Sequence, residues 1–308
     1  MKQILSLCAA ALTLTLTACG KKDVEAVLPA GTVGLRITSE VPIGVTADRI
    51  SVMPNDVAPW LSQILVLADG QLYRTSTNGS QAERVNGGSL KDMAGLMRKG
   101  QPGTVLTLTT DGNLTALIEK DDEGRLARMN VSSKAKRYDS FCQNDKAPTD
   151  TVVAISGKSL ISLNISYEGN ELMSVEEIGK TSLPKTISTC FVAGETVYAI
   201  AGSQLYVGGQ ANIKIAGDVR NLSGIAGEPT STLLYIEGSN TPRSPTLSTW
   251  RKVIIQDGLS VMGTEDVSSV FVTADSLGGT FSDGAVIAQD AKTERLILVS
   301  RSFARRAL

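Results

Sequence analysis

The sequence predicts an all-β fold, and three observations support this prediction. From residue 33 onward the apolar runs are short, rich in Val, Ile, Leu and Thr, and separated by Gly, Asn and Asp. This is the pattern of strands joined by tight turns. One strand–turn–strand motif recurs along most of the chain. Apolar residues make up 42% of the sequence, which is enough to form a sizeable core.

The repeated motif is an apolar run, a tight turn of the Asp-Gly kind and an alternating strand. In its first copy, residues 64–67 precede Asp69-Gly70, and Gln71-Leu72-Tyr73 follows. Glycine supplies the positive φ that such a turn needs at little steric cost. The six runs begin at residues 64, 105, 152, 197, 233 and 285, so consecutive copies are 36 to 52 residues apart.

This spacing predicts a β-propeller of six blades, each of four antiparallel strands, because one blade takes about 40–50 residues. Further strands are expected between the motifs, at 125–131, 172–178 and 253–255. An early strand, near 33–38 or at Arg49–Met53, would complete the last blade. Only residues 90–98 have a helical pattern.

A pair of β-sandwiches is the competing architecture, since sandwiches also have short strands and frequent turns. Sandwiches need not repeat one motif at one period. The recurrence therefore favours the propeller.

The first residues indicate export. A charged start and an apolar run over residues 4–17 have the length of a signal-peptide core and are too short for a permanent transmembrane helix. The sequence Leu16-Thr17-Ala18-Cys19 that follows resembles the lipobox of bacterial lipoproteins. The alternative is an ordinary secretory signal that contains a cysteine.

The lipobox resemblance implies that residues 1–18 are a signal peptide. The charged start and the Pro and Gly of the next residues make 19–32 a lipidated tether, and the repeated strand motif makes 33–308 the β-propeller domain. Cys19 would be the first mature residue, acylated on its sulfur and its amine, and several acyl chains anchor a protein stably. Gly20 stands where inner-membrane retention favours Asp, so the resemblance favours the outer membrane, with the protein facing the periplasm or the cell surface.

Charge and composition limit the partners that we expect. Formal net charge is −1 and no basic block occurs, so nucleic acid is not an expected partner. Aromatic residues make up 4% of the chain, which argues against carbohydrate-binding platforms and against stacking sites for single strands. The expected partners are the membrane, through the lipid anchor, and another envelope protein.

Two cysteines remain after processing. Cys8 leaves with the signal peptide and Cys19 carries lipid, which leaves Cys142 and Cys190. In an oxidising compartment two such cysteines usually pair, so we predict a disulfide between them. The alternative is two buried free thiols.

The chain contains no histidine. This excludes the Ser-His-Asp triad, the Cys-His dyad and the usual His-bearing zinc and iron sites. Any catalysis would have to use carboxylates, Lys, Arg, Tyr or a hard cation held by oxygen ligands.

Two stretches are similar to those of β-propeller phytases, which are six-bladed, calcium-dependent phosphatases. Residues 55–60 (Asn-Asp-Val-Ala-Pro-Trp) with 70–73 (Gly-Gln-Leu-Tyr) resemble the family's opening D-D-P-A-I-W … G-L-x-V-Y. Residues 285–290 (Ala-Val-Ile-Ala-Gln-Asp) with 296–299 (Leu-Ile-Leu-Val) resemble its closing L-V-V-Q-D-G … F-K-L-V. The resemblance implies Asp56 and Asp290 as metal-ligand candidates, while ordinary turn and edge residues are the alternative reading.

The departures from the phytase pattern weaken such a site. The acidic pair is Asn55-Asp56, the G-T-x-K stretch with its phosphate-binding lysine is replaced by residues 66–69, and Ala291 stands where the family has glycine. Calcium and phosphate both need dense charge of the opposite sign. We therefore expect a non-catalytic binding or scaffold module without a cofactor. The alternative is a calcium-dependent phosphohydrolase of the phytase-like class, for which calcium would be the cofactor.

Overall fold

The computed structural model describes residues 28–85, 88–101, 103–120, 125–134, 137–215, 217–227, 231–238, 240–245 and 250–308. Its secondary structure is 26 strands, two short 3-10 turns and one helix, so the all-β prediction is confirmed. In the part of the chain that the structure describes, no helix is long and apolar enough to cross a bilayer.

Two strands precede the repeated units and have the bounds β1 (Thr32–Arg36) and β2 (Ser39–Pro42). The next strands form three four-stranded units, here called blades. Blade 1 contains β3 (Arg49–Met53), β4 (Gln63–Ala68), β5 (Gln71–Thr75) and β6 (Glu83–Val85). Blade 2 contains β7 (Leu90–Leu96), β8 (Thr104–Thr109), β9 (Leu114–Glu119) and β10 (Leu126–Ser133). Blade 3 contains β11 (Ser140–Phe141), β13 (Thr151–Ser156), β14 (Ser159–Glu168) and β15 (Leu172–Ser182), and the short β12 (Gln143–Asn144) lies between its first two strands in sequence.

The second half of the chain repeats this arrangement. Blade 4 contains β16 (Ile187–Ala193), β17 (Thr196–Ala201), β18 (Gln204–Val207) and β19 (Gln210–Lys214). Blade 5 contains β20 (Val219–Ile225), β21 (Thr232–Glu237), β22 (Thr241–Pro245) and β23 (Trp250–Gln256). Blade 6 contains β24 (Val267–Thr273), β25 (Ala285–Asp290), β26 (Arg295–Ser300) and the early strand β2, and α1 (Arg301–Ala307) follows β26.

The blades are arranged in a closed ring. Their inner strands touch in order, β3 beside β7, β7 beside β11, β16 beside β20, β20 beside β24 and β24 beside β3. Blade 3 contacts β16 of blade 4 through its second strand, β13. Six hydrophobic clusters lie between neighbouring blades, one at each junction of the ring. Burial of both faces of each sheet explains why the motif begins with a continuous apolar run. This is the predicted β-propeller.

The number of hydrogen-bonded sheets differs from the predicted number of blades. Hydrogen bonding joins the strands into five sheets, and one of these has eight strands. The eight-stranded sheet arises because β10 and β15, the outer strands of blades 2 and 3, pair in parallel. The predicted count of six therefore describes the four-stranded units and not separate sheets.

The early strands close the ring differently from the prediction. β2 pairs with β26 and completes blade 6, while β1 adds to blade 5 by parallel pairing with β23. Arg49–Met53, one of the two segments expected to close the ring, is instead β3, the first strand of blade 1. Residues 32–42 thus cross from the edge of blade 5 to the edge of blade 6 and join the two blades.

The predicted helical segment is a strand. Residues 90–96 form β7, the buried inner strand of blade 2, and α1 is the one α-helix among the described residues. The Lys, Met and Leu residues of β7 have good helix propensity, but the requirement for an inner strand in blade 2 overrides that weak local preference.

The turn of the first copy of the motif agrees with the prediction. In the turn between β4 and β5, Asp69 has φ 48° and Gly70 has φ 73°. Two consecutive residues with positive φ define the tight hairpin turn whose twist matches that of the strands. All six apolar runs identified in the sequence are second strands of their blades, namely β4, β8, β13, β17, β21 and β25.

Candidate binding site

The inner strand of blade 3 is divided. β11 pairs with β13 of its own blade, whereas β12 pairs in parallel with β16 of blade 4. Cys142 lies between the two short strands and forms a disulfide with Cys190 of β16, with an S–S distance of 1.99 Å and Cα atoms 4.6 Å apart. Residues 140–148, here called the crossing segment, therefore run from one blade to the next beside the centre of the ring.

Asp92 of β7 anchors the start of the crossing segment. Its buried carboxylate accepts a hydrogen bond from the Phe141 backbone amide at 2.6 Å and forms an ion pair with Arg49 of β3 at 3.0 Å. The Arg49 guanidinium also donates to the Phe141 carbonyl oxygen. Blades 1 and 2 thus hold both backbone groups of Phe141 through one buried charge pair.

Two further aspartates hold the later part of the segment. Asp145 forms an ion pair with Arg301 of α1 at 3.0 Å, and its backbone amide donates to the Val192 carbonyl oxygen at 3.1 Å. Asp275, in the loop after β24, accepts a hydrogen bond from the Ala147 backbone amide at 2.7 Å.

Burial shifts the pKa of these three carboxyls upward. Loss of hydration raises the pKa of Asp92, Asp145 and Asp275 above the ordinary value of 3.8. Arg49 and Arg301 act in the opposite direction on their partners, but burial is the larger effect. For Asp275, the charge of the neighbouring Asp145 adds to the rise, while the Ala147 amide opposes it.

A small cavity of about 20 Å³ lies beneath the crossing segment. Among the described residues, Asp275 Oδ1 and Gln143 Oε1 have no hydrogen-bond partner, and both residues line this cavity. The space is sufficient for about one water molecule. The buried polar groups at the centre of the ring are therefore mostly hydrogen-bonded to other groups of the protein.

The loop between β3 and β4 presents a different kind of surface. Val57, Trp60 and Leu61 are 72%, 68% and 43% exposed, and Pro59–Leu61 form a 3-10 turn. Together with residues 274–284, between β24 and β25, this loop forms one side of the ring, here called the Trp60 face. Large apolar side chains exposed next to each other on one loop are typical of a contact surface.

Hydrogen bonds hold this loop in place. Asn55 Oδ1 accepts from the backbone amides of Val57 at 3.2 Å and Ala58 at 2.8 Å. Ser62 Oγ accepts from the Asn55 amide at 3.0 Å and donates to the Ser276 carbonyl oxygen at 3.1 Å. The exposed side chains are therefore carried on a backbone that is fixed to blade 6.

A pocket of about 210 Å³ lies beside Trp60 and Leu61. Its floor contains the buried side chains of Gln63, Thr75 and Glu119, and the Gln63 amide donates to Glu119 Oε1 at 3.1 Å. These residues belong to β4, β5 and β9, so blades 1 and 2 both contribute to the floor.

One wall of the pocket is an ion pair on blade 1. Arg74 donates to Glu83 Oε2 from Nε at 3.2 Å and from a terminal nitrogen at 2.6 Å. Asn78, in the loop between β5 and β6, also lines the pocket. The polar groups of the floor and wall are thus hydrogen-bonded within the protein, and an exposed indole lies at the rim of the pocket.

The two metal-ligand candidates lie at opposite ends of the blades. Asp56 is exposed and follows β3, in the loop that packs on residues 276–278 of the loop leading into β25. Asp290 is the last residue of β25, and five residues of strand span about 17 Å. One ion therefore cannot be held by both carboxylates.

The oxygen atoms of Asp290 are also occupied. They accept from Thr293 Oγ1 at 2.7 Å, from the Lys292 amide at 3.0 Å and from Arg295 at 3.2 Å. Burial alone would raise the pKa of Asp290, but these hydrogen bonds and the Arg295 charge together lower it below 3.8. Within the described ranges no group of three or more acidic or cysteine side chains is placed to hold a metal ion. Cys19, the predicted lipidation site, lies outside the described residues.

Sequence reasoning did not identify the pocket. In the sequence, Trp60 was noted only as the last residue of the phytase-like stretch. The available signal was three large apolar residues in the loop between two predicted strands, but their proximity to β5 and β9 depends on the packing of two blades.

No family model matches the chain, and no curated protein matches it. Among solved structures, the chain is similar to one described as the crystal structure of BBS1N in complex with ARL6DN, soaked with lead. The TM-score is 0.46 at 12% identity, over 85% of this chain and 80% of that one. The strand pairing and the closed ring of blades establish the propeller fold.

Proposed function

We propose that the protein is a non-catalytic binding module of the cell envelope, anchored by lipid at Cys19 and facing the periplasm or the cell surface, with the outer membrane favoured. Its contact surface is the Trp60 face. The lipobox-like sequence supports the anchor, and the strand arrangement supplies a rigid scaffold on which loops carry the binding residues.

The observation that carries the binding proposal is the exposed group of Val57, Trp60 and Leu61. Exposed tryptophan supplies a large contact area at low conformational cost and is enriched among the residues that dominate binding energy. Hydrogen bonds to Asn55 and Ser62 fix the loop before any partner binds, so little ordering entropy is lost on association.

The anchor is tested by Cys19→Ala in the native host. We expect the variant to remain unprocessed or to leave the membrane fraction, because no acyl chain can be attached. Normal cleavage together with unchanged membrane association would refute the anchor without affecting the binding proposal.

The contact surface is tested by crosslinking in intact cells followed by isolation under denaturing conditions. We expect specific crosslinked species with the wild-type protein, and their loss with Trp60→Ala. The matched control is Leu259→Ala. Leu259 is 97% exposed, in the loop before β24 and so at the opposite end of that strand. Equal crosslinking by all three proteins would refute the Trp60 face as the contact surface, and calcium-dependent release of phosphate from phytate would favour the phosphohydrolase alternative.

A further inference from the structure

We propose that the α1 corner, formed by α1 and residues 28–31, contacts the bilayer surface and binds anionic lipid headgroups. This inference rests on the proposed anchor at Cys19 and goes beyond it, because an anchor alone leaves the orientation of the propeller on the membrane open. It depends on where the chain enters the propeller, on the length of the tether and on the side chains that α1 exposes.

The chain enters the propeller beside α1. β1 pairs in parallel with β23, and the Lys252 backbone amide donates to the Gly31 carbonyl oxygen at 3.1 Å. The neighbouring Arg251 side chain donates to the Leu308 carbonyl oxygen, next to the end of α1, and α1 packs directly on β1. Residues 28–31 and α1 are therefore held together on the outer edge of blade 5.

The tether limits how far this corner lies from the membrane. Cys19 and Leu28, the first described residue, are nine residues apart, and a fully extended chain of that length spans at most about 32 Å. When the acyl chains of Cys19 lie in the bilayer, the α1 corner is within that distance of the bilayer surface. The covalent chain thus keeps this corner near the membrane.

α1 exposes an aromatic side chain and two cations. Ala304 is buried, whereas Phe303 is 52% exposed and Arg305 and Arg306 are exposed. The Arg306 guanidinium carbon lies 4.7 Å from the centre of the Phe303 ring, so the two side chains share one face of the helix. Helices that lie on bilayers place aromatic side chains toward the acyl chains and arginines among the headgroups, where a guanidinium binds phosphate.

The charge of the α1 corner favours anionic lipids. α1 contains three arginines and no acidic residue. Arg301 is paired with Asp145, so Arg305 and Arg306 supply the exposed positive charge. Asp283 opposes them with one exposed negative charge, in the loop whose last residue accepts a hydrogen bond from the Arg301 amide. The balance of exposed charge is therefore positive.

The opposite end of blade 6 has exposed apolar side chains but the other sign of charge. β24 and β26 run in the same direction, so the loop before β24 and the helix after β26 lie at opposite ends. Leu259 and Met262 in that loop are 97% and 76% exposed, and residues 257–266 include acidic residues and no basic one. An anionic surface repels this loop and attracts the α1 corner.

The test is fluorescence quenching of the full-length lipidated protein, inserted into preformed vesicles. The vesicles contain phosphatidylcholine with brominated acyl chains, diluted either with plain phosphatidylcholine or with phosphatidylglycerol. The chain has two tryptophans, so Trp60→Phe with Trp250→Phe removes the native signal, and Phe303→Trp or Leu259→Trp then supplies one indole. Because bromine quenches an indole that it contacts, we expect quenching from position 303, stronger with phosphatidylglycerol, and none from position 259.

Neutralisation of the exposed arginines tests the charge. A cation near an anionic surface strengthens the attraction about fivefold, so Arg305→Gln with Arg306→Gln should remove most of the extra quenching that phosphatidylglycerol produces. The matched control is Lys180→Gln with Lys214→Gln, which neutralises two exposed lysines near the ends of β15 and β19. Both are fourth strands, as β23 is, and they end on the side of the ring opposite α1, so the control should leave the quenching unchanged.

Thiol labelling gives a second measurement that keeps both tryptophans. With Cys142 and Cys190 paired and Cys19 acylated, Phe303→Cys or Leu259→Cys adds one free thiol to the mature chain. A neutral polyethylene glycol maleimide stays outside the vesicles. It should label position 303 more slowly on anionic than on neutral vesicles, and position 259 at equal rates on both.

Failure of this inference is distinguishable from failure of the proposed function. Equal quenching at positions 303 and 259 refutes the bilayer contact, and quenching at position 303 that does not depend on phosphatidylglycerol refutes the preference for anionic lipid. Wild-type protein that does not associate with vesicles refutes the anchor and this inference with it. Loss of cellular crosslinks with Arg305→Gln and Arg306→Gln, without quenching at position 303, would assign the corner to a protein partner. Crosslinking through Trp60 tests the Trp60 face independently of each of these results.

Discussion

Gly278 lies directly against the backbone of Trp60, and a Cβ atom at position 278 would be 2.9 Å from the Trp60 Cα atom. Gly278 also has φ 77° and ψ 167°, a backbone conformation that is essentially restricted to glycine. The loop of blade 6 thus approaches the loop of blade 1 at a distance that no other residue permits, and this contact sets the position of the exposed indole.

We therefore expect Gly278→Ala to lower the free energy of unfolding by about 1–3 kcal/mol and to displace Trp60. Denaturant unfolding measures the first effect, and Trp60 emission in a Trp250→Phe background measures the second. Gly279→Ala is the matched control, because position 279 also has positive φ but a Cβ there meets nothing within 4 Å. Equal emission changes in both variants would contradict the proposed contact.

The disulfide between Cys142 and Cys190 should stabilise the whole ring. Its sequence separation is 48 residues, and closure of such a loop in the unfolded chain contributes about 4 kcal/mol in the chain-entropy model. The double variant Cys142→Ala, Cys190→Ala should lose most of this stability, as measured by urea unfolding. Reductant should shift the wild-type midpoint and leave that of the double variant unchanged. Two reactive thiols in denatured, unreduced protein, beyond any contributed by residues 1–19, would show that the bond does not form.

Deprotonation of the Asp275 carboxyl should lower the free energy of unfolding as pH rises. Burial raises its folded-state pKa above that of the unfolded chain, which is about 3.9. Between these two pKa values the folded state binds more protons than the unfolded state, so the free energy of unfolding falls as pH increases. Asp290 has a lowered pKa and acts in the opposite direction, since its contribution is lost as pH falls through its folded-state value.

Asp275→Asn tests this contribution. The variant keeps an acceptor for the Ala147 amide and places a donor in the cavity that Gln143 also lines. We expect equal or higher stability at pH 7 and a weaker pH dependence above pH 4. Asp275→Ala, which leaves the Ala147 amide unpaired, should instead lose about 1–3 kcal/mol. An unchanged pH profile in Asp275→Asn would show that this carboxyl does not titrate in the folded state as described.

Removal of one partner of the ion pair between Asp92 and Arg49 should lower the free energy of unfolding strongly. Both side chains are largely buried, and removal of one leaves an uncompensated charge. Asp92→Ala should lower the free energy of unfolding by about 3–5 kcal/mol, by thermal or denaturant unfolding. The double variant Arg49→Met, Asp92→Leu removes both charges with similar volumes and should recover much of that loss. A double variant no more stable than Asp92→Ala would indicate that the lost hydrogen bonds to the Phe141 backbone, and not the unpaired charge, determine the effect.

The sequence predicted the repeated part of the fold because that part depends on local rules. The apolar runs mark strands that are covered on both faces, and the Asp69-Gly70 turn requires positive φ, so both appear in the order of residues. The helical reading of residues 90–98 was wrong for the complementary reason. Propensity is a weak preference, and the packing of β7 between its neighbours decided its conformation.

Strand period, turn residues and cysteine number are properties of short segments, and they were enough to predict an all-β propeller with two cysteines available to pair. Four features depend instead on tertiary contacts: Cys142 crosses to blade 4, β2 closes the ring, Asp56 and Asp290 lie apart, and Trp60 borders a polar pocket. Each of these depends on contacts between residues distant in the chain. Such contacts depend on how the blades pack, and no repeating pattern in the sequence encodes that packing.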